Sequence, residues 1–181
     1  MHGSASSRYV RGRGDPLSSS SCGGAYSRGM SRITLASGLT LSCAHQGNAS
    51  GPALVMLPGP TDSWRSYRPV LDLLPDWVSA IAVSQRGHGE SDKPESGYRV
   101  EDFATDVVAL LDALNVEWPI LVGHSGSCLV ARRVALDHPS RVAGLILEAS
   151  PVTLLDDARL LRFVQSLMDE LEDPISADFA R

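Results

Sequence analysis

The residues best suited to chemistry in this chain lie at 120–127, where an apolar run stops at a turn of small residues. A helix-like stretch, residues 128–136, follows at once. This layout is typical of a corner that leads from a strand directly into a helix and carries a nucleophilic serine, here Ser125. Such a corner strains the backbone of the serine and holds its hydroxyl clear of the sheet. The free N–H groups at the start of the helix then face the negative charge that develops on a substrate oxygen.

The corner departs from the usual Gly-x-Ser-x-Gly pattern at one position. Residues 123–127 read Gly-His-Ser-Gly-Ser, so Ser127 takes the place of the last glycine. Serine is small enough for a turn in which two chain segments nearly touch. The pentapeptide by itself is equally compatible with a Gly- and Ser-rich turn that performs no chemistry. Two other motifs favour the chemical interpretation: residues 57–60, Leu-Pro-Gly-Pro, end one apolar strand, and residues 85–94, Gln-Arg-Gly-His-Gly-Glu-Ser-Asp-Lys-Pro, follow another.

The elements that position these motifs alternate between strands and helices. Hydrophobic periodicity predicts strands at residues 33–36, 39–44, 53–57, 78–83, 120–122 and 142–147. It predicts helices at residues 64–74, from about 101 to 114, and from the serine corner to about residue 137. Alternation of this kind implies a mostly parallel, doubly wound sheet. The three motifs all fall at the carboxyl ends of strands, where such folds place their sites.

The spacing and order of the three motifs resemble the α/β-hydrolase family, in its esterase, epoxide-hydrolase and dehalogenase-like branch. The resemblance covers residues 33 to about 150 and implies that only the amino-terminal portion of such a protein is present. In the family, an eight-stranded core continues for two more strands and a closing helix. The expected fold is therefore an α/β-hydrolase sheet that is truncated after its sixth strand and at the start of a helical cap. A fragment, an early stop and a partial gene are all compatible with this expectation.

The resemblance also bears on the base that a serine nucleophile needs. A serine hydroxyl is a weak nucleophile until a histidine takes its proton, and the family order is Ser, then Asp or Glu, then His. After Ser125 the only histidine is His138, which follows the corner helix and so lies more than about 15 Å away. His124 should point away from the corner as packing or a pocket wall, and His88 lies in a loop whose family role is structural. The resemblance thus implies that the catalytic histidine is absent from this chain.

The orienting acid is a second open position. Some dehalogenase-like members place a glutamate after the sixth strand, and Glu148 occupies that position here. The alternative is that Glu148 only forms an ion pair with Arg132 or Arg133.

The oxyanion hole is the third feature that the resemblance implies. Its donors would be the backbone N–H of Gly126 and one N–H from the loop after Leu57. Family members commonly have His-Gly-x in that loop, whereas this chain has Pro-Gly-Pro, and Pro60 carries no N–H. Loss of one such donor costs about 2.7–4 kcal/mol of transition-state stabilisation. Thr61 is the expected substitute donor, through its N–H or its hydroxyl.

Composition sets limits on the other functions. The chain has 181 residues, 43% apolar and 20% charged, which suits one globular domain. The net charge of −5 gives no reason to expect nucleic acid or an anionic membrane as partner. The sequence shows neither a metal-binding cluster nor a phosphate-binding glycine loop, so no cofactor is expected. Three scattered cysteines, Cys22, Cys43 and Cys128, indicate reduced thiols and a cytoplasmic protein.

The chain divides into three parts by composition. Residues 1–29 are rich in Ser, Gly and Arg and are predicted to be a disordered leader. Residues 30–150 form the partial hydrolase core, with Met30 as an alternative natural start. Residues 151–181 contain an amphipathic helical stretch and are predicted to begin the cap.

Three functions are compatible with these observations. A serine at position 125, rather than a carboxylate, favours hydrolysis of small carboxylic esters through an acyl-enzyme over epoxide-hydrolase or dehalogenase chemistry. The departures at Pro60 and Ser127 favour a non-catalytic protein that binds a small apolar ligand. The third alternative is an inactive, incomplete product, in which the strand at residues 142–147 is an exposed apolar edge and an aggregation hazard.

Overall fold

The computed structural model describes residues 29–150 together with residues 158, 159 and 162. The predicted leader, up to residue 28, and nearly all of the predicted cap segment lie outside the described residues. Within the described part, one sheet contains six strands: β1 (Gly29–Thr34), β2 (Thr40–Gln46), β3 (Ala53–Leu57), β4 (Ser79–Ser84), β5 (Ile120–His124) and β6 (Gly144–Glu148). The helices are α1 (Arg68–Leu71), which follows a 3₁₀ turn at Trp64–Tyr67, α2 (Val100–Ala113) and α3 (Ser127–Asp137).

The sheet is doubly wound and mostly parallel, as the sequence predicts. Its strand order is β1-β2-β4-β3-β5-β6. Strand β2 pairs antiparallel with both β1 and β4. The pairs β4–β3, β3–β5 and β5–β6 are parallel. The carboxyl ends of β3, β4, β5 and β6 therefore meet at one edge of the sheet, and all three sequence motifs lie there.

The two faces of the sheet carry separate apolar layers. On one face, α2 and α3 cover side chains such as Val55 and Leu57 of β3. On the other face, the 3₁₀ turn and α1 cover Met56 of the same strand. This alternation follows from the period of two in a strand and explains why β3 is an almost unbroken apolar run.

The sequence predicts one continuous helix at residues 64–74, and this prediction is wrong. The structure divides this stretch into a 3₁₀ turn and the four-residue α1, with Pro69 in the first turn of α1. Proline lacks the N–H that a continuous helix would need at this position and is tolerated where a new helix starts. The other predicted elements are present, with ends that differ by a few residues.

The strand β6 leaves apolar surface at the edge of the described sheet. Leu145, Ile146 and Leu147 are 37%, 49% and 39% exposed, and within the described residues β6 pairs with β5 alone. This agrees with the predicted exposed apolar edge. None of the helices in the described part of the chain is long and apolar enough to cross a bilayer.

Candidate active site

Ser125 lies at the corner between β5 and α3 with its backbone in the left-handed region, at a φ of 52°. Serine adopts such torsions only where its surroundings hold it there. Two backbone hydrogen bonds do so: its N–H donates to the carbonyl of Glu148 at 2.9 Å, and its carbonyl accepts from the N–H of Cys128 at 3.0 Å. The serine is only half-buried. The strained, open corner that the sequence predicts is therefore present, while the nucleophilic role of Ser125 stays a prediction.

Close backbone contact explains the glycines around the serine. A Cβ on Gly123 would lie 2.8 Å from both the Cα of Cys128 and the carbonyl oxygen of Ser127. A Cβ on Gly126 would lie 2.7 Å from Cγ of Pro60. Strand β5 thus meets the first turn of α3 with no space for a side chain, and the loop after β3 packs directly on the start of that helix.

The loop after β3, where the sequence predicts an oxyanion donor, contains Gly59, Pro60 and Thr61. The ring of Pro60 packs against Gly126, so this proline occupies the position next to the helix start where a second donor is expected, and it has no N–H to give. Gly126 is the N-cap of α3, and its amide belongs to the group that has no acceptor within the helix. Thr61 is exposed in the tight turn closed by the N–H of Asp62 and the carbonyl of Gly59.

Ser127 stands where a glycine is usual, and in the structure it also forms two buried hydrogen bonds. Its side chain is 3% exposed, and its hydroxyl donates to the carbonyl of Pro58 at 2.5 Å. The same hydroxyl oxygen accepts a hydrogen bond from Nε2 of Gln85 at 2.7 Å. These two bonds connect the loops after β3 and β4 to the first turn of α3. The departure from the usual motif is therefore a buried polar connection.

We expect Ser127→Ala to lower the free energy of unfolding by about 1–3 kcal/mol, because it leaves the buried carbonyl of Pro58 and Nε2 of Gln85 only their long mutual hydrogen bond of 3.4 Å. Urea unfolding followed by circular dichroism measures the change. The control is Ser66→Ala, which removes an exposed hydroxyl bonded to the carbonyl of Ser63 at 3.0 Å and should cost less than about 0.5 kcal/mol. Equal losses in the two variants would contradict the importance of the buried connection.

The loop after β4 has a structural role. The hydroxyl of Ser91 donates to the carbonyl of Ser84 at 2.6 Å and accepts from the N–H of Ser42 at 2.8 Å. The imidazole of His88 lies between two backbone carbonyls, with Nδ1 2.8 Å from the oxygen of Arg86 and Nε2 in contact with the oxygen of Pro60. This agrees with the structural role expected for His88 and adds that its ring contacts the loop after β3.

On the α1 side of the corner, several ionisable groups lie close together. His124 and Glu148 are partners in the register of β5 and β6. A Cβ on Gly59 would lie 3.1 Å from Nδ1 of His124 and 3.6 Å from Oδ2 of Asp62. Burial and then the nearby Glu148, Cys128 and Asp62 raise the pKa of Tyr67 to about 12. Glu148 thus shares the face of the sheet that carries His124, and it is exposed at the end of β6.

The alternative ion pair of Glu148 is not formed with Arg133. The guanidinium of Arg133 binds Asp137 at 2.6 Å and lies 3.5 Å from Glu101. His138 is the C-cap of α3, so the 11 residues of that helix separate it from the corner by about 16 Å. As the sequence predicts, it lies at the far end from Ser125.

Neither of the two cysteines in the described residues, Cys43 and Cys128, is placed to act as a second nucleophile. Burial raises the pKa of the Cys43 thiol to about 12, so it stays protonated at neutral pH. Cys128 is fully buried, and its thiol donates to the carbonyl of Gly123 at 3.0 Å. In the described part of the chain, no group of three or more His, Cys, Asp or Glu residues is placed to hold a metal ion.

A profile of the family described as alpha/beta hydrolase fold matches residues 52–172 of the chain. The matched stretch contains β3 to β6 and all three motifs at the carboxyl edge of the sheet. The chain belongs to the α/β-hydrolase fold family.

Relatives of this chain carry several different names. It is 37% identical over 108 residues to 2-(acetamidomethylene)succinate hydrolase of Mesorhizobium japonicum, covering 60% of this chain and 38% of that protein. It is 31% identical over 158 residues to non-heme chloroperoxidase of Streptomyces lividans, covering 84% of this chain and 56% of that protein. A solved structure described under novel epoxide hydrolases in metagenomes from hot environments matches with a TM-score of 0.65 at 29% identity, covering 69% of this chain and 43% of that one.

Two facts limit what membership of the family decides. The chain spans 38% and 56% of the length of these two curated relatives. The names of the relatives also differ in the reaction that they specify. Family membership thus accounts for the fold of this chain, whereas its reaction must be argued from the residues of the site.

Sequence reasoning missed one member of the site. Gln85 is 6% exposed and bonds to Ser127 inside the corner, yet nothing in the sequence marks it apart from its place at the start of the second motif. Its contact with Ser127 spans 42 positions of the chain. Only the pairing of strands in the folded chain brings the two together.

Proposed function

We propose that this chain is part of a serine hydrolase that cleaves small carboxylic esters through an acyl-enzyme. The observation that carries the proposal is the strained, half-exposed corner at Ser125, directly before α3. The hydroxyl of a serine in this position attacks an ester carbonyl, and the bond to the alcohol breaks to leave an acyl group on the serine. A serine there, rather than a carboxylate, favours ester hydrolysis over the opening of epoxides or the removal of halide. The hydrolase names among the relatives support the proposal at the level of reaction class.

The charge that develops on the substrate oxygen faces the start of α3. The amide of Gly126 and the dipole of the 11-residue helix are the stabilising groups there. Pro60 packs on Gly126 and removes the usual second donor, which lowers the rate that the site supports. Glu148 is the proposed orienting acid, since it ends β6 directly beside the corner, where its backbone carbonyl accepts the N–H of Ser125.

The described residues do not supply a base. His138 lies at the far end of α3, His88 is held by two carbonyls, and His124 packs against Gly59. Removing the histidine of a complete triad lowers kcat on the order of a million-fold. We therefore expect this chain by itself to turn over esters no faster than its Ser125→Ala variant.

The proposal is tested by detecting the acyl-enzyme itself. The chain is incubated with p-nitrophenyl acetate, with and without imidazole as a substitute base, and its peptides are analysed by mass spectrometry. We expect acetylation at Ser125 that imidazole increases by about tenfold or more, because general-base assistance contributes about 10²–10⁴-fold in a positioned site. Ser125→Ala should remove this acetylation, whereas Ser66→Ala, a change at an exposed serine, should leave it intact. Acetylation spread over exposed residues with Ser125 unmodified would contradict the proposal.

One observation favours a second candidate function, a protein that binds a small apolar ligand without cleaving it. Pro60 fills the space against Gly126 and provides no N–H, which weakens the site for catalysis but not for binding. This candidate predicts saturable binding of an uncharged ligand at the corner together with an unmodified Ser125 in the acetylation experiment.

A further inference from the structure

A cavity with a volume of about 570 Å³ lies at the amino edge of the sheet. Its walls are the turn before β3, the first residues of β3 and β4, and the segment that joins α2 to β5. The serine corner lies at the opposite edge, so the full length of β5 separates it from this cavity. The cavity is therefore a candidate place for a ligand that is separate from the proposed esterase site.

The charge of this cavity comes from one carboxylate. Within the described part of the chain, Glu117 is the single lining residue that is Asp, Glu, Lys, Arg or His. Glu117 is exposed, and its carboxylate has no hydrogen bond or ion pair among the described residues. The guanidinium of Arg141, which follows α3, binds Asp112 of α2 at 2.7 Å instead. The lining thus carries a negative charge that none of the described cations neutralises.

The C-terminal end of α2 adds partial negative charge to the same cavity. Leu114, which lines the cavity, is the C-cap of this 14-residue helix, and the last turn holds no basic residue. The next residue, Asn115, has a φ of 53°, and the N–H of Val116 donates to the carbonyl of Leu111 at 2.8 Å. This is a usual left-handed ending of a helix, so the turn itself explains the positive φ. The dipole of α2 therefore favours a cation at the cavity.

An indole ring forms a further part of the wall. Trp118 is 66% exposed, and its Nε1 donates to the carbonyl of Ser140 at 2.7 Å. The single N–H of the ring is thus used, and what the indole offers to a ligand is its π surface. In the described part of the chain, a guanidinium lies over Trp64, at 4.9 Å, but none lies over Trp118. The face of Trp118 is open to a cation, which the electrons of an indole attract.

We propose that this cavity binds a quaternary ammonium compound, with the cationic group over Trp118 and beside Glu117. A carboxylate, a helix C-terminus and an indole face all favour positive charge, and all three meet within residues 114–118. Apolar side chains near them, such as Pro52 and Val116, suit the methyl groups that a quaternary ammonium carries in place of N–H donors. The inference goes beyond the proposed function, because the site needs neither Ser125 nor any catalysis.

Two probes of the same shape test the role of charge: choline, and neohexanol, in which a carbon atom replaces the nitrogen. The full chain is labelled with ¹⁵N and titrated with each probe at constant ionic strength. We expect choline to shift the indole N–H signal of Trp118 and the amide signal of Glu117 in a saturable way. Its dissociation constant should be on the order of a millimolar, because all three attractions act close to water. Neohexanol should bind at least about tenfold more weakly.

The indole of Trp77 is the internal control for these titrations. Trp77 is 65% exposed but does not line the cavity, so choline should leave its indole signal in place. Equal affinities for the two probes, or equal shifts at Trp77 and Trp118, would overturn the inference.

Substitutions at the cavity provide the second arm. We expect Glu117→Gln to weaken the binding of choline about fivefold, and Trp118→Leu to weaken it by a similar factor. The control is Glu95→Gln, which removes an equal charge from an exposed acid outside the lining and should leave the affinity within about twofold. Should Trp118→Leu fail to fold, the comparison of the two glutamate variants still decides. Equal affinities for choline in Glu117→Gln and Glu95→Gln would show that the carboxylate of the cavity does not bind the cation.

Discussion

Asp106→Ala is expected to lower the free energy of unfolding by about 3–5 kcal/mol, because it leaves the guanidinium of Arg86 buried and without its charge partner. Asp106 is 6% exposed in its side chain and accepts two hydrogen bonds of 2.6 Å from Arg86. Arg86 in turn joins the loop after β4 to α2, so the loss should also loosen the segment that carries His88 and Gln85. Urea unfolding gives the stability, and amide exchange of residues 85–92 gives the local effect.

The same helix provides a matched control. Asp112 lies in α2 as well and binds Arg141 at 2.7 Å, but its side chain is 61% exposed. Asp112→Ala should change the stability by less than about 0.5 kcal/mol, since water screens an exposed pair. A double variant, Arg86→Met with Asp106→Leu, should recover much of the loss, because two apolar side chains leave no buried charge unpaired. Similar losses for Asp106→Ala and Asp112→Ala would show that burial is not the cause.

Gly123→Ala is expected to cost about 3 kcal/mol or more and to disrupt the corner. The new Cβ would lie 2.8–2.9 Å from backbone atoms of Ser127 and Cys128, and a helix backbone cannot move aside as a flexible side chain can. Strand β5 and α3 must then separate, which removes the contacts that hold Ser125 at a positive φ. The measurement is urea unfolding, together with the amide chemical shifts of residues 123–128.

Gly144→Ala is the control for this change. Gly144 lies on the neighbouring strand β6, and among the described residues a Cβ there would meet Cγ1 of Ile120 alone, at 4.0 Å. We expect no loss of stability from this substitution, since alanine is easier to order in a strand than glycine. A wild-type unfolding midpoint for Gly123→Ala would contradict the close approach of β5 and α3.

Much of the fold could be predicted from residue patterns because each pattern reflects a local constraint. Apolar runs bounded by Gly and Pro predict buried strands, and the spacing of Val107, Leu110 and Leu111 predicts the buried face of α2. Pro69 shows where this reasoning failed. Apolar spacing continues through residues 64–74, but a single missing N–H divides the stretch in two.

The candidate site, like the fold, could be predicted from the sequence only in part. The position of Ser125 at a strand-to-helix corner was predictable, because small residues between an apolar run and a helical stretch have few other uses. The bond between Ser127 and Gln85 was not, since the two residues are 42 positions apart and come together only through the pairing of β3 with β4 and β5. The packing of Pro60 on Gly126 likewise depends on the approach of two loops at the edge of the sheet.

The amino-acid sequence by itself determined the order of the elements and the location of the strained serine, because torsional and hydrophobic preferences act over a few residues. The tertiary structure alone decided which groups are left free for a ligand. Arg86 is the clearest case: its charge is visible in the sequence, yet its partners Asp106 and Gly97 are visible only in the fold. Hydrogen bonds between distant segments are set by packing, so the role of Arg86 emerges only when the chain is folded.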